Sequence, residues 1–153
     1  MDFRVTLMLA DSAQAVNGKL YILGGGWTVI GPNPVPSAIA VQVLVPWDLT
    51  NAKHKMRLEL LDTDGKPVTL DTPVGEQPIV IENEFEVGRP PGTKPGTPLD
   101  ISFAINLGPL QLAPGSRYEW RLSINDVTRD DWNLTFGTRE AETPATASGP
   151  GEG

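Results

Sequence analysis

The sequence contains no cysteine and a single histidine, His54. A chain without cysteine forms no disulfide, has no thiol nucleophile and lacks the main ligand of structural zinc sites. The absence of cysteine is typical of proteins in a reducing compartment, so we expect a cytoplasmic location. His54 stands between Lys53 and Lys55 at the start of a predicted strand, where we expect a solvated surface side chain.

Catalytic motifs are missing as well. A Ser-His-acid triad needs its histidine beside a serine and a carboxylate, and nothing around His54 provides that arrangement. The sequence has no Gly-x-Ser-x-Gly elbow, and the glycine run at residues 24–26 lacks the Lys-Ser/Thr of a phosphate-binding loop. From these missing motifs we predict no enzymatic activity, and we assign no catalytic, cofactor-binding or metal-binding residue.

Basic residues and long apolar runs are also scarce. The chain has 12 Lys and Arg against 19 Asp and Glu, a net charge of −7. Binding to a nucleic-acid backbone needs clustered Lys and Arg, so we expect no nucleic-acid partner. No run approaches the roughly 18 apolar residues of a membrane-spanning helix, so we expect no membrane association.

What the chain does contain is a recurring alternation of apolar and polar residues, the period of a half-buried strand. The clearest case places Tyr118, Trp120, Leu122 and Ile124 on one face. Many short strands separated by turn signals predict an all-β chain, an antiparallel β-sandwich that is immunoglobulin-like in the broad sense. We predict one domain over residues 1–139 and a disordered Pro/Gly/Ala/Thr/Glu tail over residues 140–153.

Two glycine-containing segments predict specific backbone features. Asn17-Gly18 predicts a type I′ hairpin turn between the first strand and a return strand at residues 19–23. The glycine run at residues 24–26 predicts a bulge before the strand continues at residues 27–30.

A further turn precedes the clearest strand. Leu112, Pro114, Gly115 and Tyr118 form the pattern Leu-x-Pro-Gly-x-x-Tyr. This pattern predicts a tyrosine corner, in which the Tyr hydroxyl bonds back to upstream backbone as the chain crosses between sheets.

Candidate interaction residues fall into two groups. Glu82, Glu84 and Glu86 project from one face of a predicted strand, either as a docking strip for a basic partner or as a solvated face paired with Lys55 and Arg57. The second group consists of Trp27, Trp47 and Arg89. The two tryptophans either form an exposed rim or pack at the edge of the core, and Arg89-Pro90-Pro91 resembles a docking ligand.

Acidic residues near one turn leave a metal alternative open. Asp126, Asp130 and Asp131 lie close together in sequence, where turn and capping roles compete with a calcium site.

Several longer segments together resemble a family of uncharacterised bacterial proteins, mainly actinobacterial. The matching stretches are residues 9–14, 18–27, 85–92 and 114–120, within a resemblance that covers about residues 3–139. The resemblance implies a small cytoplasmic β-protein with no known activity, and it transfers no functional residue to this chain.

These observations favour a non-enzymatic protein-interaction or assembly module, whose partner is another protein or a second copy of the chain. The alternative is a small-ligand module that binds a sugar or a cation through strand-end loops. An assembly module would use exposed strand edges, the tryptophan rim and the acidic strand face, whereas in a ligand module an exposed tryptophan could stack on a sugar.

Overall fold

The structure is a computed structural model that describes residues 2–141. Most of the predicted tail therefore lies outside the described residues. The chain forms twelve strands and one 3-10 turn at Trp47–Leu49. The strands are β1 (Arg4–Ala10), β2 (Ser12–Val16), β3 (Lys19–Leu23), β4 (Val29–Ile30), β5 (Ser37–Val45), β6 (Lys53–Leu61), β7 (Thr69–Thr72), β8 (Gly75–Pro78), β9 (Val80–Glu86), β10 (Leu99–Leu107), β11 (Arg117–Ile124) and β12 (Asn133–Thr138).

The strands form two main sheets and two hairpins. A three-stranded sheet has the order β1-β5-β10, and a five-stranded sheet has the order β4-β12-β11-β6-β9. β2 pairs with β3, and β7 pairs with β8. The predicted all-β class and antiparallel pairing are confirmed, with one exception: β4 pairs with β12 in parallel, with Val29 opposite Gly137. Among residues 2–141 no helix has the length and apolar character needed to cross a membrane.

The inward faces of both sheets contribute to one hydrophobic core. In the three-stranded sheet Val41 of β5 lies in register with Leu7 and Phe103. In the five-stranded sheet Leu58 pairs with Leu122. The fully buried side chains are Ile39, Val41, Val43, Val45, Met56, Leu58, Leu60, Trp120, Leu122 and Ile124. Burial of one such aliphatic side chain contributes roughly 1.5–3 kcal/mol, so this shared core is the main source of stability.

β5 is covered on its second face too. Ala38 and Ala40 of β5 cluster with Ala10 and with Ala13 of β2, and Leu20 of β3 packs against this group. Small side chains let the β2–β3 hairpin lie close against the outer face of the three-stranded sheet. β5 is the central strand of the three-stranded sheet.

A side-chain amide fixes the hairpin to the sheet. Asn106 of β10 donates from Nδ2 to the Ala13 carbonyl oxygen at 2.8 Å and accepts at Oδ1 from the Ala13 N–H at 3.2 Å. The amide thus pairs with a peptide group as a neighbouring strand would. This contact joins residues that are 93 positions apart in the chain.

The hairpin turn at Asn17-Gly18 forms as predicted, with φ of 52° and 74° at these two residues. The prediction that this turn connects the first strand to residues 19–23 was wrong, however. The first strand, β1, pairs with β5, whereas β3 returns along the separate strand β2. β3 then ends at Leu23, so the glycine run is a bend after a strand instead of a bulge within one.

Tyr118 begins the strand that the sequence indicated most clearly. Its hydroxyl oxygen accepts a hydrogen bond from the Ala113 N–H at 2.8 Å, and its ring is buried against Phe136. The tyrosine-corner prediction requires a bond of this kind between the Tyr hydroxyl and upstream backbone. The backbone group here belongs to Ala113, which lies between Leu112 and Pro114 in the sequence. Gly115 has φ of 66°, a conformation that favours glycine in this turn.

We predict that Asn106→Ala lowers the free energy of unfolding by about 1–3 kcal/mol, because it leaves the Ala13 peptide without its partners. Urea denaturation of the full chain measures this loss. Asn83→Ala is the matched control, since Asn83 is an exposed strand asparagine on β9 and should cost well under ~1 kcal/mol. Equal losses in the two variants would contradict the role of Asn106 as an anchor.

Candidate interaction surfaces

The structure brings together two of the predicted site residues, Trp47 and Arg89. The Arg89 guanidinium carbon lies 3.9 Å from the centroid of the Trp47 ring, a cation–π contact. Arg89 donates from Nη2 to the Trp47 carbonyl oxygen at 2.8 Å and from Nε to Thr50 Oγ1 at 2.7 Å. Thr50 Oγ1 in turn donates to the Trp47 carbonyl oxygen at 2.6 Å. We name Trp47, Thr50, His54, Arg89 and Asn125 the Trp47 corner.

His54 lies inside this corner, so the prediction of a solvated histidine was wrong. Only 7% of its surface is exposed, and its ring contacts Phe3 edge-on at 5.0 Å and Phe85 at 5.5 Å. These aromatic neighbours come from β9 and from the segment before β1, both distant in sequence. The flanking lysines point outward because side chains alternate along β6.

The hydrogen bonds of His54 define its tautomer. Nε2 lies 2.7 Å from the Leu49 carbonyl oxygen, which can only accept, so Nε2 carries the hydrogen. The Asn125 side chain is oriented by the Lys55 N–H, which donates to Oδ1 at 3.0 Å. Asn125 Nδ2 therefore donates to His54 Nδ1 at 3.0 Å. Both ring nitrogens of His54 are thus engaged in hydrogen bonds that hold the corner together.

The acidic strip, Glu82, Glu84 and Glu86, lies on β9 at the edge of the five-stranded sheet. Opposite it on β6 stand Arg57, Lys55 and Lys53. Glu82 lies 3.4 Å from Arg57 and 3.6 Å from Lys55. The two ion pairs of Glu82 match the solvated-face alternative, and Glu84 and Glu86 stand opposite Lys55 and Lys53 in the strand register.

Trp27 lies apart from the Trp47 corner. It packs edge-on against Phe136 at 6.2 Å, and Phe136 pairs with Tyr118 at the start of β11. His54 and Asn125, by contrast, lie beyond the other end of that strand. Trp27 is half-buried, and its Nε1 is buried with no hydrogen-bond acceptor among the described residues.

Trp27 also lines an open groove with a volume of about 430 Å³. Val29, Ile30 and Val35 supply further apolar surface, and Asp11 and Arg139 supply the charged groups. The arrangement can hold a small molecule against apolar carbon with polar groups at its rim.

The β2–β3 hairpin presents an apolar surface that the sequence analysis missed. Tyr21 is 55% exposed and Leu23 is 69% exposed, and Met8 and Ile22 are exposed beside Gly25. The Asn17-Gly18 turn signal identified residues 19–23 as a strand but could not show that this strand lies outside both main sheets. A strand with apolar residues on both of its faces was the available signal.

The acidic residues near the β11 turn do not form a metal site in the part of the chain that the structure describes. No three Asp, Glu or His side chains come together there in a group that could hold an ion. The calcium alternative at Asp126, Asp130 and Asp131 therefore gains no geometric support.

We predict that Arg89→Lys lowers the free energy of unfolding by about 1–2 kcal/mol, since a lysine keeps the charge but cannot stack on Trp47 while bonding two acceptors. Thermal or urea unfolding measures the change. Arg4→Lys is the matched control, since Arg4 is exposed at the start of β1, and it should stay within ~0.5 kcal/mol. An unchanged Arg89→Lys protein would mean that the corner does not depend on this arginine.

Neither a curated protein nor a solved structure matches the chain. A family model matches residues 5–136, nearly all of the described strands, and it is described as a family of unknown function (DUF6941). The chain therefore belongs to this family of unknown function, DUF6941.

Proposed function

We propose that this chain is a non-enzymatic interaction module that assembles by pairing with a second copy of itself through β3. The module is a β-sandwich, immunoglobulin-like in the broad sense. The hydrophobic core shared by the two main sheets supports the proposal of a sandwich. The Tyr118–Ala113 hydrogen bond supports the proposed resemblance to immunoglobulin domains. The exposed apolar edge of β3 is the observation that carries the assembly proposal.

β3 has the properties of a strand that accepts a partner. Within residues 2–141 it pairs only with β2, so its other edge has unpaired backbone groups. Its side chains are Lys19, Leu20, Tyr21, Ile22 and Leu23, with no proline, one charge and no bulge. Natural proteins normally protect exposed edges with charges, prolines or bulges, and an edge without them favours pairing.

The charge pattern favours a second copy as the partner on this edge. Antiparallel pairing of two β3 strands about Tyr21 places Lys19 opposite Leu23 and brings no like charges face to face. The two lysines are then separated by four residues, about 13 Å along the strand, which exceeds the ~8–10 Å screening length at physiological salt.

The acidic edge strand β9 of the five-stranded sheet does not suit self-pairing. Two copies of β9 paired about Glu84 would place Glu84 opposite Glu84 and Glu82 opposite Glu86. Like charges directly opposite each other destabilise a strand pair. With a chain net charge of −7, copies of this molecule should associate through an edge that carries no acidic residue, and β3 is such an edge.

We predict a dimer of the full chain with about twice the 16.5 kDa mass of the monomer, and dissociation of that dimer by Tyr21→Glu. Because Tyr21 lies opposite its own copy in this pairing, the variant places two glutamates directly opposite each other. Light scattering after size exclusion, at concentrations from about 1 to 100 µM, measures the mass.

Val74→Glu is the matched control. Val74 is 81% exposed at the turn between β7 and β8, so this variant adds the same charge to an exposed apolar residue elsewhere. It should remain dimeric, and circular dichroism should show that both variants stay folded. A monomeric wild type over the whole range, or equal dissociation of both variants, would overturn the proposal.

A further inference from the structure

We propose that the groove beside Trp27 is a binding site for a neutral sugar ring. The site lies along β4 and the loop that follows it, and it does not involve the exposed edge of β3. It therefore adds a ligand function that does not depend on self-association.

The residues that line the groove combine apolar and polar groups. Trp27, Val29 and Val35 offer apolar surface, and both valines are more than two-fifths exposed, at 48% and 44%. Because Trp27 Nε1 is shielded from solvent, a ligand in the groove would contact the carbon atoms of the ring and not its N–H group. A sugar ring has C–H faces that pack on such a surface.

Polar side chains of complementary kinds also line the groove. Asp11 accepts hydrogen bonds, Arg139 donates them, and the Asn33 amide does both. Arg139 is held in place because Nη1 donates to the Gly31 carbonyl oxygen at 2.7 Å, which leaves its other nitrogens available to a ligand. Hydroxyl groups both donate and accept, so a polyol can satisfy all three side chains.

The charges of the groove select against a strongly charged occupant. Asp11 and Arg139 contribute one charge of each sign, and neither forms an ion pair with another of the described residues. A ligand with a net charge would be attracted by one group and repelled by the other. A neutral ligand avoids that repulsion, and its hydroxyl groups can bond to both side chains.

The backbone beside the groove disfavours an extended peptide. β4 has only two residues, Val29 and Ile30, and the following loop contains Pro32, Pro34 and Pro36, which have no N–H to donate. A peptide strand added here would find too few backbone partners to form a ladder. The open volume of about 430 Å³ instead falls in the range of small-molecule sites.

The experiment titrates the full chain, labelled with ¹⁵N, with D-glucose, D-galactose, N-acetyl-D-glucosamine and maltose, each to about 50 mM. We expect saturable shifts for at least one sugar, with a millimolar Kd, centred on Val29, Asn33 and the Arg139 side chain. Weak affinity is expected because the groove is open and encloses the ligand on one side only.

Two conservative variants test the polar contacts without removing the aromatic ring. Asp11→Asn and Arg139→Gln should each weaken sugar binding at least about fivefold, the loss of roughly one useful hydrogen bond. Asp71→Asn, on the exposed strand β7, removes the same charge elsewhere and should bind as the wild type does.

Three outcomes would overturn the proposal. The first is the absence of saturable shifts with every sugar. The second is sugar-induced shifts centred on the Trp47 corner. The third is binding of a zwitterion such as glycine in this groove while no sugar binds there, which would assign the paired charges to an amino-acid ligand.

Discussion

The fold depends on the burial of β5 on both of its faces. On one face Ile39, Val41 and Val43 pack into the core that the two main sheets share. On the other face Ala38 and Ala40 lie beneath the β2–β3 hairpin. One strand thus fixes the two sheets and the outer hairpin relative to each other. The hairpin covers these alanines as a separate two-stranded sheet, in which β3 pairs only with β2 among the described residues.

How much the sequence could predict depended on how local each signal was. The strand at residues 117–124 and its Tyr118 turn were predictable, because alternation and a Pro-Gly turn lie within a dozen residues. The exposed β7–β8 hairpin was missed, since β8 is Gly75–Pro78 and has no apolar alternation to reveal it. The parallel pairing of β4 with β12 joins distant residues through only two positions, so no sequence pattern marks it.

The candidate site residues show the same limit. Trp47 and Arg89 were both identified, yet their direct contact depends on a chain separation of 42 residues. His54 was misplaced because its local neighbours are lysines, whereas Asn125, 71 residues away, supplies one of its hydrogen bonds. Periodicity predicts which face a side chain occupies, but it contains no information about which distant strand covers that face. Buried polar networks are therefore the features that local patterns predict least well.

The two exposed ends of the molecule have different physical roles. At the Trp47 corner, polar groups are engaged with each other and hold the start of β6 in place. At the β2–β3 hairpin and the neighbouring Trp27 groove, apolar surface is exposed. The polar side chains that line the groove retain unused hydrogen-bonding capacity. Interaction sites require surface that folding has not already used. We therefore propose that the interaction sites lie at the hairpin end.

The central claim is that the free edge of β3 receives a second copy of the chain. Hydrogen–deuterium exchange at about 1 µM and about 100 µM tests it directly, because strand pairing protects the amides that it bonds. We predict that amide exchange in residues 19–23 slows at the higher concentration, whereas amide exchange in β9 stays the same. Protection of β9, or exchange in β3 that does not depend on concentration, would contradict it.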